Sequence, residues 1–285
     1  MSKIQKALEH VKSYRPGPAA KRPSYVAPSN DAPNLGQPAA LPPDYISLSS
    51  IPTIQFDADM FKRNRLVLHN TDERHPAQGA YRMLRTRLMK VMRNNNWRVL
   101  GVSSIGPGEG KTFTTINLAI SIAAETGQEA ILVDLDLRRP SVHRCMGIGD
   151  DSFVSIRDYF QNAERDLSDL LICPSINRLG CLLSSDPLVR SSDILASARG
   201  RQLFSELRDR TDPSNVIIVD LPPLLATDDA LAVAPMLDAL LLVVAEGQAE
   251  RSDLMDIQQI TQEFNLIGTV LNKSIEKDSK RVNYY

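Results

Sequence analysis

The sequence predicts an α/β fold in which a mostly parallel, doubly wound sheet is flanked by helices. From about residue 61 onward, apolar segments of strand length alternate with helical segments, and no internal repeat is visible. Ligands of such sheets bind at the carboxyl ends of the strands, so functional residues are expected there. The predicted strands are 98–103, 130–134, 178–183, 215–219, 239–245 and 266–271. The predicted helices are 76–94, 111–125, 190–209, 226–236 and 250–264.

The amino-terminal part of the chain differs in composition from the rest. Nine of the eighteen prolines lie between residues 16 and 52, so residues 16–56 are predicted to form an extended, disordered linker. Residues 57–275 then form the folded domain, and residues 276–285 a flexible tail. A short amphipathic helix is predicted over residues 1–15, where apolar residues recur at helical spacing. It docks on a partner protein or lies on a membrane surface, and its small apolar face favours the partner.

The overall composition is that of a soluble globular protein, with 42% hydrophobic and 24% charged residues. The net charge of −1 favours neither nucleic acid nor an acidic membrane, and no nucleic-acid partner is expected. Cys145, Cys173 and Cys181 lack metal-ligand spacing and indicate a reducing cytoplasm. No signal peptide is recognisable, and the most apolar stretch, 231–245, is shorter than the about 20 residues that span a bilayer. A cytoplasmic protein is therefore expected, and any membrane association would be indirect or peripheral.

A glycine-rich loop between the first long predicted strand and the helix after it is typical of a phosphate-binding loop. Its glycines allow the backbone to approach phosphates closely, and the helix N-terminus favours the same anion. Lys111 is expected to reach the β- and γ-phosphates, and the Thr112 hydroxyl to hold Mg²⁺. Ile105 stands where the strict pattern has glycine, and the alternative is a plain turn before a helix. The expected binding residues for a nucleoside triphosphate are Gly106, Gly108, Glu109, Gly110, Lys111, Thr112 and Phe113.

Acidic residues follow two apolar strands of the predicted sheet. Asp134 and Asp136 end the strand 130–134, and extended geometry would project both to one side. Asp220 ends the strand 215–219, in the manner of a Walker B strand whose acid contacts Mg²⁺ through water. The alternative for all three is helix capping or turn formation at strand ends.

Phosphoryl transfer needs charge neutralisation and in-line positioning from the protein. Lys111 and Mg²⁺ supply the first, with Thr112, Asp136 and Asp220 as the predicted metal ligands. Asp134 is the predicted base that orients the attacking hydroxyl or water. The predicted catalytic residues are Lys111, Asp134, Asp136 and Asp220.

Three motifs in this order resemble the bacterial tyrosine kinases (BY-kinases) of capsule and exopolysaccharide synthesis. The resemblance covers roughly Pro76 to Lys273. The motifs are Pro-Gly-x-Gly-Lys-Thr over Pro107–Thr112, Asp-x-Asp-x-Arg at Asp134, Asp136 and Arg138, and Asp-x-Pro-Pro at Asp220, Pro222 and Pro223. The family fold is a P-loop NTPase fold, and the resemblance also implies that Asn272 contacts the adenine.

The resemblance implies a function as well as a fold. Members of the family transfer the ATP γ-phosphate to tyrosines in a C-terminal cluster, usually between neighbouring subunits of a ring. They act with a Wzz-like membrane copolymerase that controls polymer export or length. Here the chain ends in Tyr284 and Tyr285, which are the expected phosphorylation sites. The family's Glu-x-x-Arg-x-x-Arg motif keeps Arg82 and Arg85 but has Gly79 at the glutamate position, which leaves the ring contact open.

Two other functions compete with the autokinase. A MinD/ParA-type ATPase switch would share the core fold, but such proteins carry a signature lysine five residues before the loop lysine, where this chain has Gly106. A nucleotide-binding assembly scaffold with little turnover is the non-enzymatic alternative.

Overall fold

The computed structural model describes residues 44–66 and 76–274. The predicted helix 1–15, most of the predicted linker and the tail with Tyr284 and Tyr285 lie outside the described residues. Within the described ranges, no helix combines the length and the hydropathy needed to cross a membrane.

The described residues contain eight strands and ten α-helices, together with four 3₁₀ helices of one turn each. The strands are β1 (Thr53–Ile54), β2 (Val99–Ser104), β3 (Ala130–Asp134), β4 (Cys173–Pro174), β5 (Leu179–Leu182), β6 (Val216–Asp220), β7 (Ala239–Ala245) and β8 (Leu266–Asn272). The helices are α1 (Ala58–Arg63), α2 (Pro76–Asn95), α3 (Lys111–Ala123), α4 (Val142–Met146), α5 (Ile156–Gln161), α6 (Leu167–Leu170), α7 (Ser191–Leu195), α8 (Ala198–Asp209), α9 (Asp229–Val233) and α10 (Arg251–Ile260).

Six of the strands form one fully parallel sheet in the order β5-β3-β6-β2-β7-β8. Alternate residues of each central strand face two separate hydrophobic cores. In β3, Ile131 and Val133 join one core, and Ala130 and Leu132 join the other. Because both faces are covered by helices, the strands are apolar at nearly every position. The predicted fold class is confirmed, and each predicted strand of the sheet corresponds to an observed one.

Two predicted helices are interrupted in the structure. The segment predicted as one helix over 190–209 forms α7 and α8, because the Ser197 hydroxyl accepts the Gly200 N–H and starts a new helix. A Cβ at Gly200 would collide with the carbonyl oxygen of Leu195, so the close approach of α7 and α8 requires glycine at position 200. The helix predicted over 226–236 is shorter and ends as a 3₁₀ turn that contains Pro235.

The last part of the predicted linker packs against the domain. Ile46 and Leu48 are buried, and β1 pairs in parallel with β4 in a small second sheet. We call residues 44–56 the strap. The strap contains six apolar or aromatic residues and a single proline, Pro52, so its composition differs from that of the proline-rich stretch before it, a difference that the predicted linker boundary at residue 56 does not reflect.

Candidate active site

The loop between β2 and α3 forms a cradle at the carboxyl edge of the sheet. Gly108 and Gly110 have φ angles of +76° and +97°, a region that disfavours residues with a Cβ. The Ile105 N–H donates to the Glu109 carboxylate at 3.0 Å, which closes the loop on itself. Burial raises the pKa of Glu109, and hydrogen bonds from Ile105 and Gly106 oppose the rise. The Ile105 side chain lies in the core, so the non-glycine residue at this position anchors the loop.

Lys111 starts α3 and forms two ion pairs. Its ammonium lies 2.7 Å from Asp136 Oδ2 and 3.3 Å from Asp220 Oδ2. Burial alone would lower the pKa of Lys111, but Asp220 and Asp136 raise it above its usual value. The lysine therefore remains charged at any working pH.

Asp220, at the end of β6, receives the hydroxyls of α3. Thr112 Oγ1 donates to Asp220 Oδ2 at 2.7 Å, and Thr115 Oγ1 lies 3.1 Å from Asp220 Oδ1. The carboxylate is fully buried, and this burial raises its pKa despite the nearby Lys111. The Thr115 hydroxyl, which also lies 2.8 Å from the Lys111 carbonyl, is a second hydroxyl neighbour of this carboxylate that no sequence motif indicates.

Asp134 ends β3 beside Asp220 and binds backbone donors. Its Oδ2 accepts the N–H groups of Ser141 and Val142 at 3.1 and 3.0 Å, and its Oδ1 accepts the Asp136 N–H at 3.3 Å. Asp134 thus also serves the amino end of α4, as the capping alternative expected. Burial and the Asp220 charge raise the pKa of Asp134.

Asp136 and Arg138 connect the cluster to the helices that surround it. The Asp136 carboxylate accepts the Arg139 N–H at 3.2 Å in addition to its bond with Lys111. Arg138 Nε donates to Ser191 Oγ at 3.2 Å, and its Nη2 lies 3.4 Å from the buried Asp229. The second aspartate motif is therefore fixed to both α7 and α9.

The end of β8 contacts the phosphate loop from outside. Asn272 Nδ2 donates to the Glu109 carbonyl at 2.8 Å, and Lys273 Nζ donates to the Gly108 carbonyl at 2.7 Å. The predicted adenine contact of Asn272 stays a prediction. In the sequence Lys273 marks only the end of the region of resemblance, because a contact with a loop 165 residues away leaves no local signal.

Residues at the start of α3 and along α2 complete the surroundings of the loop. The half-buried Phe113 meets the Tyr81 ring edge-on at a centroid distance of 6.3 Å. Arg85 donates to the Ser121 carbonyl at 2.8 Å and pairs with Glu125, so it is engaged within the chain. Gly79 and Arg82 are exposed, and the ring contact stays a prediction.

The donor set fits magnesium bound together with a phosphate ligand. Mg²⁺ prefers oxygen donors and is usually held by one or two carboxylates plus substrate phosphates and water. Thr112, Asp136 and Asp220 offer such donors within one hydrogen-bonded cluster. In the described part of the chain, no three His, Cys, Asp or Glu side chains are grouped to hold a metal by themselves. These residues would therefore hold the ion only in combination with phosphate oxygens.

Comparison with known proteins gives concordant matches. A family model described as an AAA domain matches residues 97–277. The tyrosine-protein kinase CpsD of Streptococcus pneumoniae is 33% identical over 178 residues, which are 62% of this chain and 76% of that protein. The chain therefore belongs to the bacterial tyrosine-protein kinase family. The resemblance seen in the motifs and the predicted enzyme class, a protein-tyrosine kinase, are both confirmed.

Two further matches extend over more of the kinase. The tyrosine-protein kinase YwqD of Bacillus subtilis is 26% identical over 227 residues, covering 79% of this chain and 92% of that protein. The solved kinase domain of the Escherichia coli tyrosine kinase ETK superposes with a TM-score of 0.67 at 27% identity. It covers 83% of this kinase and 94% of the solved chain. The similarity thus spans the described domain rather than the motifs alone.

Proposed function

We propose that this kinase is an autokinase that transfers the γ-phosphoryl group of Mg-ATP to Tyr284 and Tyr285 of another copy. The observation that carries the proposal is the convergence of Lys111, Asp136 and Asp220 beside a glycine cradle. This arrangement supplies cationic charge and oxygen donors where a triphosphate would end.

Each residue of the cluster has a role in this proposal. Lys111 neutralises charge on the transferred phosphoryl group after exchanging a carboxylate for phosphate oxygens. Thr112, Asp136 and Asp220 hold Mg²⁺, which neutralises charge on the β- and γ-phosphoryl oxygens when it is bound. Asp134 accepts the proton of the tyrosine hydroxyl. Its raised pKa suits that task, because a base works best when its pKa lies near the working pH.

Tyr284 and Tyr285 are proposed substrates because they are adjacent in a short segment rich in charge that follows the last described strand. Transfer between copies requires an oligomer. Arg82 and Gly79 lie exposed on α2, where the family places its ring motif, so this surface is the proposed contact between copies. Gly79 lacks the family's carboxylate, which would make the contact weaker.

We further propose a place for the kinase in exopolysaccharide or capsule synthesis. Its partner would be a separate Wzz-like membrane copolymerase that activates it at the inner face of the membrane. The residues before the strap, 1–43, supply a candidate tether, with an amphipathic segment followed by proline-rich sequence. The partner would thus control polymer length or export through the kinase.

The test is incubation of the purified full chain with Mg-ATP, followed by detection of phosphotyrosine and mass spectrometry of the C-terminal peptide. The comparison variants are Lys111→Met and the double variant Tyr284→Phe/Tyr285→Phe. We expect phosphate on the tail tyrosines, loss of signal in Lys111→Met and loss of the tail signal in the double variant. The activating protein is added in a parallel reaction.

Other outcomes favour the alternatives. Free phosphate release with ATP-dependent dimerisation and no phosphotyrosine would favour the ATPase switch. Normal polymer export in cells that carry Lys111→Met would favour the scaffold. A phosphotyrosine signal that survives Lys111→Met would reject the proposed use of the loop.

A further inference from the structure

The end of β8 supports the phosphate loop through two carbonyl groups that are next to each other in sequence. Lys273 Nζ donates to the Gly108 carbonyl, and Asn272 Nδ2 donates to the Glu109 carbonyl, at 2.7 and 2.8 Å. The two donors are also consecutive, so two peptide units of the loop are held from one side.

Peptide geometry turns this contact into an orientation of the loop. In a planar trans peptide, the carbonyl of one residue and the N–H of the next point in opposite directions. Holding the Gly108 and Glu109 carbonyls toward β8 therefore aims the N–H groups of Glu109 and Gly110 away from β8. No acceptor for either N–H is found in residues 44–66 and 76–274. Backbone N–H groups in such a loop are the donors that cradle phosphate.

Two backbone features show that this contact is close. A Cβ at Gly110 would collide with the Asn272 side-chain amide, so Asn272 packs directly on the loop. Lys273 has a φ of +54°, an unfavourable conformation for a lysine, yet it is the conformation from which its ammonium reaches Gly108. Strained backbone conformations of this kind persist where the surrounding contacts hold the residue in place.

We infer that Asn272 and Lys273 are positioning residues that preorganise the phosphate-binding N–H groups of Glu109 and Gly110. They act through the loop carbonyls. The inference rests on the nucleotide-binding part of the proposed function and is independent of which group accepts the phosphate. The inference assigns loop positioning to both residues, and this role of Asn272 does not depend on an adenine contact.

The first test uses Lys273→Met, Lys273→Arg and a matched control, Lys62→Met, at an exposed lysine on α1. Calorimetry with Mg-ADP measures binding. We expect the dissociation constant of Lys273→Met to rise about five-fold and that of Lys273→Arg to return to within about two-fold of wild type. Lys62→Met should bind as wild type does. In the phosphotyrosine reaction, KM for ATP should rise in Lys273→Met while kcat changes little.

The second test separates loop positioning from adenine contact. Asn272→Leu is titrated with Mg-ADP and with magnesium tripolyphosphate, which has no base, by displacement of a fluorescent ADP analogue. If Asn272 positions the loop, the affinities for both ligands should fall by the same factor. A loss for ADP alone would overturn the inference for Asn272, and unchanged Mg-ADP binding by Lys273→Met would overturn it for Lys273. Absence of Mg-ADP binding by the wild type would reject the inference together with the proposed function, whereas binding without phosphotyrosine would reject only the latter.

Discussion

Asp134 and Asp220 are partners in register at the ends of the adjacent strands β3 and β6, yet their carboxylates bind different groups. Asp220 accepts side-chain hydroxyls from α3, while Asp134 accepts the backbone N–H groups of Ser141 and Val142. One acid is thus tied to the phosphate-loop helix and the other to α4. The pair links two helices whose amino ends meet above the same edge of the sheet.

The two threonines that contact Asp220 should respond differently to substitution. Thr112→Ala should abolish Mg-ATP-dependent phosphotyrosine formation, because it removes the proposed metal ligand, whereas Thr112→Ser keeps the hydroxyl and should retain activity. The Thr115→Ala variant should still bind nucleotide. Its free energy of unfolding should be about 1 kcal/mol lower, since it loses a buried hydrogen bond. Urea denaturation and the kinase assay check both. Equal losses of activity in Thr112→Ala and Thr115→Ala would contradict the division of roles.

Two glycines offer opposite outcomes for the same change to alanine. Gly110→Ala should destroy Mg-ADP binding, because it forces alanine to a φ of +97° and drives a Cβ into Asn272. Gly79 occupies an exposed position of α2 with open space around an added Cβ. Gly79→Ala should therefore raise the free energy of unfolding by about 0.5–1 kcal/mol. Calorimetric titration and denaturation measure the two effects. A Gly110→Ala protein that binds Mg-ADP normally would refute the described loop conformation.

Gly79→Glu tests the proposed contact between copies. The substitution restores the carboxylate of the Glu-x-x-Arg-x-x-Arg motif at an exposed position, so it should shift the protein toward larger oligomers. Light scattering coupled to size exclusion measures the shift, with Gly79→Ala as the control for helix stability alone. If both variants show the same distribution of sizes as wild type, α2 does not form the contact.

Arg210 should make stability depend on pH. It pairs with both oxygens of Asp166 at 2.6 and 3.0 Å and also binds the Asp44 carbonyl of the strap. The side-chain hydrogen bond from Arg210 holds the pKa of Asp166 well below its usual range. A carboxyl with a lowered folded-state pKa stabilises the fold above its unfolded pKa of about 4, and this contribution is lost as pH falls through the folded pKa.

Arg210→Gln should therefore cost about 1 kcal/mol of unfolding free energy at pH 7, since the pair is partly exposed. The difference from wild type should shrink steadily below about pH 4. Urea denaturation at a series of pH values measures it. A difference that stays constant down to acid pH would show that the pairing with Asp166 contributes nothing.

The strap should be part of the folding unit. Leu48 is buried and packs over Gly180, where a Cβ would meet Leu48 Cδ2 at 2.8 Å. Leu48→Ala should lower the free energy of unfolding by about 2–4 kcal/mol through the cavity that it leaves. Ser49→Ala, at an exposed neighbour, is the control. Equal free energies of unfolding for the two variants would show that residues 44–56 do not contribute to the folded domain.

The sheet and the site were predictable for a common reason. Buried parallel strands such as β3 and β6 are continuous apolar runs, and each ends in an acid at the edge where ligands bind. The short helices α4, α5 and α6 were not predicted. Helices of four to six residues have little stability of their own and depend on tertiary packing, so their sequences carry almost no periodic signal.

By itself, the sequence determined the fold class, the phosphate loop and the identities of the acids that accompany it. These properties depend on hydrophobic periodicity and on residue types at short spacing, which are local. Only the tertiary structure decided that Asp134 caps α4, that the strap packs on the domain and that Lys273 supports Gly108. Each of these contacts joins residues through the fold rather than through their neighbours in sequence, and long-range pairing is set by how the helices and strands pack together.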